Sequence, residues 1–374
     1  MRTGTVFVLV LLVMLLLARC SSAPHNTVAT LTPRAYNGTA SVGDFMTLTV
    51  DPSAQTIFYT DISNETSNTV PYTVTSDGVY TLNDPTGNLI AAYEVPNYAM
   101  VIQAAKTGPN SNTPALITAV ESGPISLATF EGQSYNYMQF RTAAGGLEVG
   151  SITISAQGAG SNTSYWPFGA LNQGNQGSGP FHSGTLDFSQ ARVDASGTFL
   201  MVPDPGNGNS FDYVFGTANG IFAVDTPNGA ILGLEKAATK DFNPSFAGTY
   251  NAAYYEKTDA STGAGNVESG TPSLGSATVV VTATGQITLS DSSGSTMVKA
   301  TLTPVADASY LYGSAGELQD PCYGVFTFRV TTSSSQQDFF ATFMGQAMLF
   351  SSFSAKLPWA QGGTYNYFYG VGLK

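Results

Sequence analysis

The sequence predicts an all-β chain of antiparallel meander units, barrels or sandwiches, set in tandem, and three observations carry that expectation. After Ala18 no stretch keeps the i, i+3, i+4, i+7 apolar spacing of an amphipathic helix across three turns. Short alternating runs recur instead, bounded by Gly, Asn, Asp and Pro, as in antiparallel strands joined by tight turns. Only 10% of residues are charged while glycine fills 40 positions, so solubility rests on Ser, Thr, Asn and Gln, a surface usual for exported β-proteins.

The N-terminus reads as an export signal over residues 1–19. Arg2 precedes an uninterrupted apolar run from Val6 to Ala18, a length that suits a signal h-region and falls short of the ~20 residues of a spanning helix. "LLLARC", ending at Cys20, is similar to the bacterial lipoprotein lipobox, which implies lipidation of Cys20 and a membrane partner through that anchor. Arg19 departs from the lipobox, which wants a small residue there. The alternative is cleavage after Ala23 and simple secretion, with Pro24 following the cut. Residues 20–33 read as a tether. Under either cleavage Cys322 has no intramolecular partner, so its expected role is that of a small packed residue.

The body divides into units at 34–129, 130–245 and 246–374, the last with a closing strand from 361. Tyr135-Asn136, Tyr250-Asn251 and Tyr365-Asn366 recur 115 residues apart and mark unit-opening strands, with Tyr36-Asn37 a displaced echo. In "DFMTLTVD", Phe45, Thr47 and Thr49 fall on one face and Met46, Leu48 and Val50 on the other. "SATVVVTATGQITLSD" reads as two strands around Thr284-Gly285, and "YGVFTFRV" from Tyr323 as a half-buried strand. On the Tyr strands, alternation puts Tyr250, Ala252 and Tyr254 on one face, and likewise Tyr365, Tyr367 and Tyr369. "DGVYTLNDPTGNLI" from Asp77 and "NGIFAVDTPNGAIL" from Asn219 share their turn residues at a spacing of 142, which reads as shifted copies or as two hairpins with independently similar turns.

The openings at Gly248-Thr249-Tyr250 and the close at Gly233-Leu234-Glu235-Lys236 resemble the repeated Gly-rich β-units of uncharacterised exported bacterial lipoproteins. The resemblance implies one lipocalin-like barrel per unit and no known activity. A single β-propeller is the alternative, because "VDPSAQTIFYTD" and "VDASGTFLMVPD" look like blade pieces, although they occur only at Asp51 and Asp194 rather than every 40–50 residues.

Composition narrows the chemistry. Acids outnumber bases 25 to 13 and the bases are scattered singly, so nucleic acid is excluded as a partner. Two histidines, His25 and His182, and no Cys-x-x-Cys leave no zinc site, and no Gly-x-Ser-x-Gly elbow or phosphate loop exists. No catalytic residue, metal or cofactor is therefore assigned. Loops at "DISNETSN" and "DPGNGNSFD" hold oxygen ligands without EF-hand spacing and read as turn chemistry. Tyr165, Trp166 and Phe168 beside a Gly/Asn/Gln stretch, with Trp359 in "LPWAQGG", are the candidate ligand-binding residues, since sugar faces stack on rings while amides take the hydroxyls. The expected function is a non-enzymatic, exported structural or binding module of the bacterial cell envelope, its ligand a glycan or a small apolar molecule. The alternative is an extracellular carbohydrate hydrolase drawing two carboxylates from Glu94, Glu121, Glu131, Glu235, Glu256 and Glu317.

Overall fold

The computed structural model of the chain describes residues 32–75, 78–107, 113–141, 146–155, 160–167, 188–203, 210–217, 220–227, 229–259, 271–305, 323–331, 336–352 and 365–374. The first eight strands are β1 (Arg34–Ala40), β2 (Phe45–Asp51), β3 (Thr56–Asp61), β4 (Thr66–Val74), β5 (Val79–Leu82), β6 (Leu89–Val95), β7 (Ala99–Ala104) and β8 (Ala115–Glu121). They form a closed up-and-down barrel in which every neighbour is antiparallel and β1 pairs back onto β8. Met46, Leu48 and Val50 point into it, with Tyr36, Ile57, Val70 and Ile102, while Phe45 joins a different core outside. Closure removes the unpaired edges that an eight-strand meander would otherwise expose.

A second sheet has the order β11-β10-β9-β16-β15-β14-β13-β12. Its strands are β9 (Ser134–Arg141), β10 (Gly146–Ile154), β11 (Gly160–Pro167), β12 (Arg192–Val193), β13 (Leu200–Pro203), β14 (Phe211–Gly216), β15 (Ile221–Thr226) and β16 (Gly229–Glu235). The third runs from β17 (Gly248–Asp259), β18 (Thr271–Val281), β19 (Gln286–Asp291), β20 (Thr296–Thr301) and β21 (Thr303–Pro304) to β22 (Val325–Thr331), β23 (Gln336–Met344), β24 (Ala347–Ser352) and β25 (Tyr365–Leu373). Its order is β20-β19-β18-β17-β25-β24-β23-β22-β21. Because Leu302 alone separates β20 from β21, the two ends of this sheet meet and it curls into a nearly closed nine-strand barrel.

These sheets displace the propeller alternative. The two supposed blade pieces are hairpin turns stapled by aspartate: Asp51 Oδ1 accepts from the N–H groups of Ser53 (2.8 Å) and Ala54 (3.1 Å), and Asp194 Oδ1 from those of Thr198 (2.9 Å) and Phe199 (3.1 Å). The two similar hairpins fall at different places, strands five and six of the first barrel and the last two strands of the second sheet. They are therefore similar turns in different settings, each with a left-handed glycine, Gly78 or Gly220.

The Tyr-Asn repeat also sorts differently from its spacing. Tyr36, Tyr135 and Tyr250 lie on the first strand of each sheet, whereas Tyr365 begins β25, which pairs with β17 and closes the third sheet. Tyr250 and Ala252 face that sheet's interior with Tyr254 packed beside them, but Tyr369 faces outward.

The outward faces make a shared core. Phe45 of the first barrel stacks on Tyr213 of the second sheet with centroids 4.4 Å apart, and Phe140 of the second stacks on Tyr369 of the third at 4.1 Å. Glycine makes room for such rings within sheets. Gly150 lies opposite Tyr137, whose ring would sit 3.0 Å from an added Cβ, and Gly275 lies opposite Tyr254, whose ring an added Cβ would strike.

Candidate functional site

The residues singled out for ligand binding are not brought to a described site. Tyr165 and Trp166 lie on β11, in register with Gly150 and Val149, and their side chains lie outside the described set. Phe168, Trp359, Cys20, Cys322, His25, His182 and Glu317 fall outside the described residues altogether.

Two of the Tyr-Asn pairs work as joints. Asn37 and Asn136 are buried on outward faces, and each donates its amide to a backbone carbonyl of the following sheet: Asn37 to Thr198 O at 2.8 Å, Asn136 to Tyr323 O at 2.7 Å. Ser151 Oγ holds Asn136 Oδ1 at 3.0 Å, which fixes the amide's orientation. Tyr98 and Gln103 similarly tie the first barrel to the third, through Met344 O (2.9 Å) and Gly275 O (2.6 Å). Asp225 of the second sheet is buried at the first joint, where Thr39 Oγ1 donates to it. Burial drives its carboxyl well above the usual range, and nearby Asp44, Asp212 and Asp61 push it the same way.

The first barrel has two dissimilar ends. At the end holding the start of β1 and the end of β6, Arg34 makes a bidentate pair with Glu94, Nε to Oε1 and Nη2 to Oε2, both 2.7 Å. The hydroxyls of Tyr36 and Tyr80 also donate to this carboxylate, and the Glu94 side chain is fully buried. Burial and the Glu94 charge hold both phenols protonated well above the usual tyrosine range. Glu94, one of the acids a hydrolase would draw on, thus has both oxygens occupied. This end is plugged.

The opposite end is hollow. A cavity of about 400 Å³ opens there, floored by Met46, Leu89 and Ile117, walled by Tyr59 and Asp61, and rimmed by hydroxyl and amide groups of β4 and the β5–β6 turn. Local turn chemistry sets the rim. Asp84 accepts from the N–H groups of Thr86 (2.9 Å), Asn88 (3.1 Å) and Leu89 (2.9 Å), which pins the backbone of Asn88. Asn88 O then accepts from Ala105 N at 2.6 Å, which brings Lys106 and Thr107 alongside. Of the buried side-chain polar atoms without a partner among the described residues, two, Asn88 Oδ1 and Thr107 Oγ1, belong to residues that line this cavity. An unpaired buried polar atom costs about 1–3 kcal/mol, so these two residues carry an unmet hydrogen-bonding demand beside the cavity.

The loop at Asp61 is held by turn chemistry. Both its oxygens accept from Asn64, N at 3.0 Å and Nδ2 at 2.9 Å, and Asp44 Oδ1 takes the same amide at 3.0 Å. Among the described residues no cluster of three or more His, Cys, Asp or Glu is placed to hold a metal. "DPGNGNSFD" lies mostly outside the described set. Sequence reasoning missed the cavity because its contributors, from Met46 to Ile117, come together only on barrel closure. The Asp-Pro-Thr-Gly-Asn turn was its one local signal.

No protein-family model and no curated protein sequence matches the chain. Among solved structures, a mutant transferrin binding protein B from Haemophilus parasuis Hp5 covers 91% of this chain and 76% of its own, at 8% identity and a TM-score of 0.29. The isotype 1 transferrin binding protein B of serogroup B Neisseria meningitidis covers 92% and 77%, at 11% identity and a TM-score of 0.28. Both scores lie below the level at which two chains share one arrangement.

Proposed function

We propose that the chain is an exported, non-enzymatic binding module of the cell envelope. Its first barrel takes a small ligand at the hollow mouth, and the second and third sheets form the frame against which that barrel is held. The observation that carries the reading is the contrast between the two barrel ends: one closed by a fully paired ion cluster, the other left with two unpaired polar groups above an apolar floor. Ligand sites combine these elements, concavity, apolar lining and a few convergent polar groups. The apolar run Val6–Ala18 supports export, and Cys20 is the proposed anchor, with tandem β-units at 34–129, 130–245 and 246–374 following the tether.

A thermal-shift screen of small carbohydrates, organic acids and apolar compounds tests this. A compound at 100 times its Kd stabilises by about 2.7 kcal/mol, an easily read rise in Tm. Ser67→Trp, at an exposed rim position, is expected to abolish the rise by filling the mouth. A screen without hits, or hits indifferent to Ser67→Trp, refutes the reading.

A further inference from the structure

We propose that the cavity takes a small hydroxylated carboxylate, a sugar acid in its pyranose form, with Lys106 as counter-ion and Asn88 and Thr107 as hydroxyl contacts. This rests on the ligand-binding reading above and adds the ligand's charge and class.

Lys106 lines the cavity without an acidic partner. The barrel's Arg34–Glu94 ion pair lies at its other end, and among the described residues no hydrogen bond or ion pair engages the Lys106 ammonium. Asp61 lines the same space, but both its oxygens are occupied by Asn64, and it forms no ion pair with Lys106. An ammonium beside a partly dry wall favours an anion, and the chain's net charge of −12 does not cancel this, because exposed charges are screened beyond about 8–10 Å.

The unpaired atoms refine the class. Asn88 Oδ1 only accepts, so its partner must bring a donor; sulfate or a fatty acid carboxylate brings none. Thr107, 4% exposed, both donates and accepts, as a ring hydroxyl requires. The ring of Tyr59 and the floor of Met46, Leu89 and Ile117 suit the C–H face of a pyranose. A volume of about 400 Å³ is near the lower end of ligand pockets and holds one such ring.

Titration calorimetry with glucuronate, glucose and hexanoate tests the assignment. Glucuronate is expected to bind about tenfold or more tighter than glucose, the worth of a charge-assisted hydrogen bond. Lys106→Gln should erase that preference, and Lys106→Arg should keep it. Equal affinity for glucuronate and glucose, a preference that survives Lys106→Gln, or tighter binding of hexanoate overturns the proposal. If none of the three binds, this proposal also falls, yet the broader reading stands wherever the thermal screen yields hits that Ser67→Trp abolishes. An unchanged melting temperature of Lys106→Gln shows that any loss is not unfolding.

Discussion

Replacing Glu94 by alanine should be the most damaging single truncation in the first barrel. The change leaves the Arg34 guanidinium, whose side chain is 9% exposed, without its two 2.7 Å bonds, and the hydroxyls of Tyr36 and Tyr80 without their acceptor. Removing one member of a buried ion pair costs about 3–5 kcal/mol, chiefly because the other charge stays buried and unpaired. The two phenols are buried as well, so the upper part of that range is expected. Urea unfolding followed by near-ultraviolet circular dichroism reads the effect as a lowered midpoint at unchanged slope. The cause is isolated by Arg34→Met with Glu94→Leu: if the penalty is an orphaned charge, the double variant recovers much of what Glu94→Ala loses. A cost of Glu94→Ala under about 1 kcal/mol, or a double variant worse than the sum of the singles, refutes the account of this end as a charge-paired plug.

Asn136→Ala should cost about 1–3 kcal/mol by removing the donor to Tyr323 O and the acceptor of Ser151 Oγ, whereas Asn251→Ala, at the matching place on β17 with no carbonyl of another sheet to hold among the described residues, should stay within about 0.5 kcal/mol; chemical denaturation of both compares them. Asp225 carries more protons folded than unfolded, so stability should fall as pH rises from the unfolded carboxylate range through its raised folded value. Asp225→Asn should flatten that decline and stabilise at pH 7, measured as Tm across pH 4–8; a variant less stable than wild type at pH 7 contradicts it. Gly275→Ala should destabilise by about 1–3 kcal/mol, because the Tyr254 ring occupies the place of the new methyl group, and Tyr254→Ala in the same chain should relieve that cost.

What was legible in the sequence followed from strand geometry. Phe45 against Met46 is separated by the two-residue period alone, and the period placed Met46, Leu48 and Val50 inside the barrel as it did Tyr250 and Ala252 in the third sheet. Turn residues were legible for the same local reason, since Asp51 and Asp194 bond to N–H groups within five positions of themselves. Closure was not local. Nothing near Arg34 announces Glu94, sixty positions on, because the two meet only when β1 closes on β8 and β6 lies in the same barrel. Nor did the 115-residue echo separate an opening strand from a closing one. Tyr365 lies on a strand paired directly with that of Tyr250, and one sheet uses both.

The outward faces explain why the repeat was easier to see than the site. In β7 every residue from Ala99 to Ala104 is buried, Met100 and Ile102 inside the barrel and Ala99 and Val101 against the shared core, so the strand reads as an unbroken apolar run. A free-standing barrel would carry polar residues on that second face. Here Phe45, Val101, Leu116 and Val120 need the second and third sheets to cover them, and Asn37, Tyr98 and Gln103 need carbonyls that only those sheets supply. The joints therefore account for the Tyr-Asn pairs of the first two units and for the apolar outward faces, while Asn251 of the third unit makes no such joint among the described residues. A ligand mouth needs no such repetition, and the first barrel leaves Asn88 Oδ1 and Thr107 Oγ1 unpaired among the described residues at its hollow end. Binding in this architecture is expected where the units differ, while what they share is spent on holding one another in place.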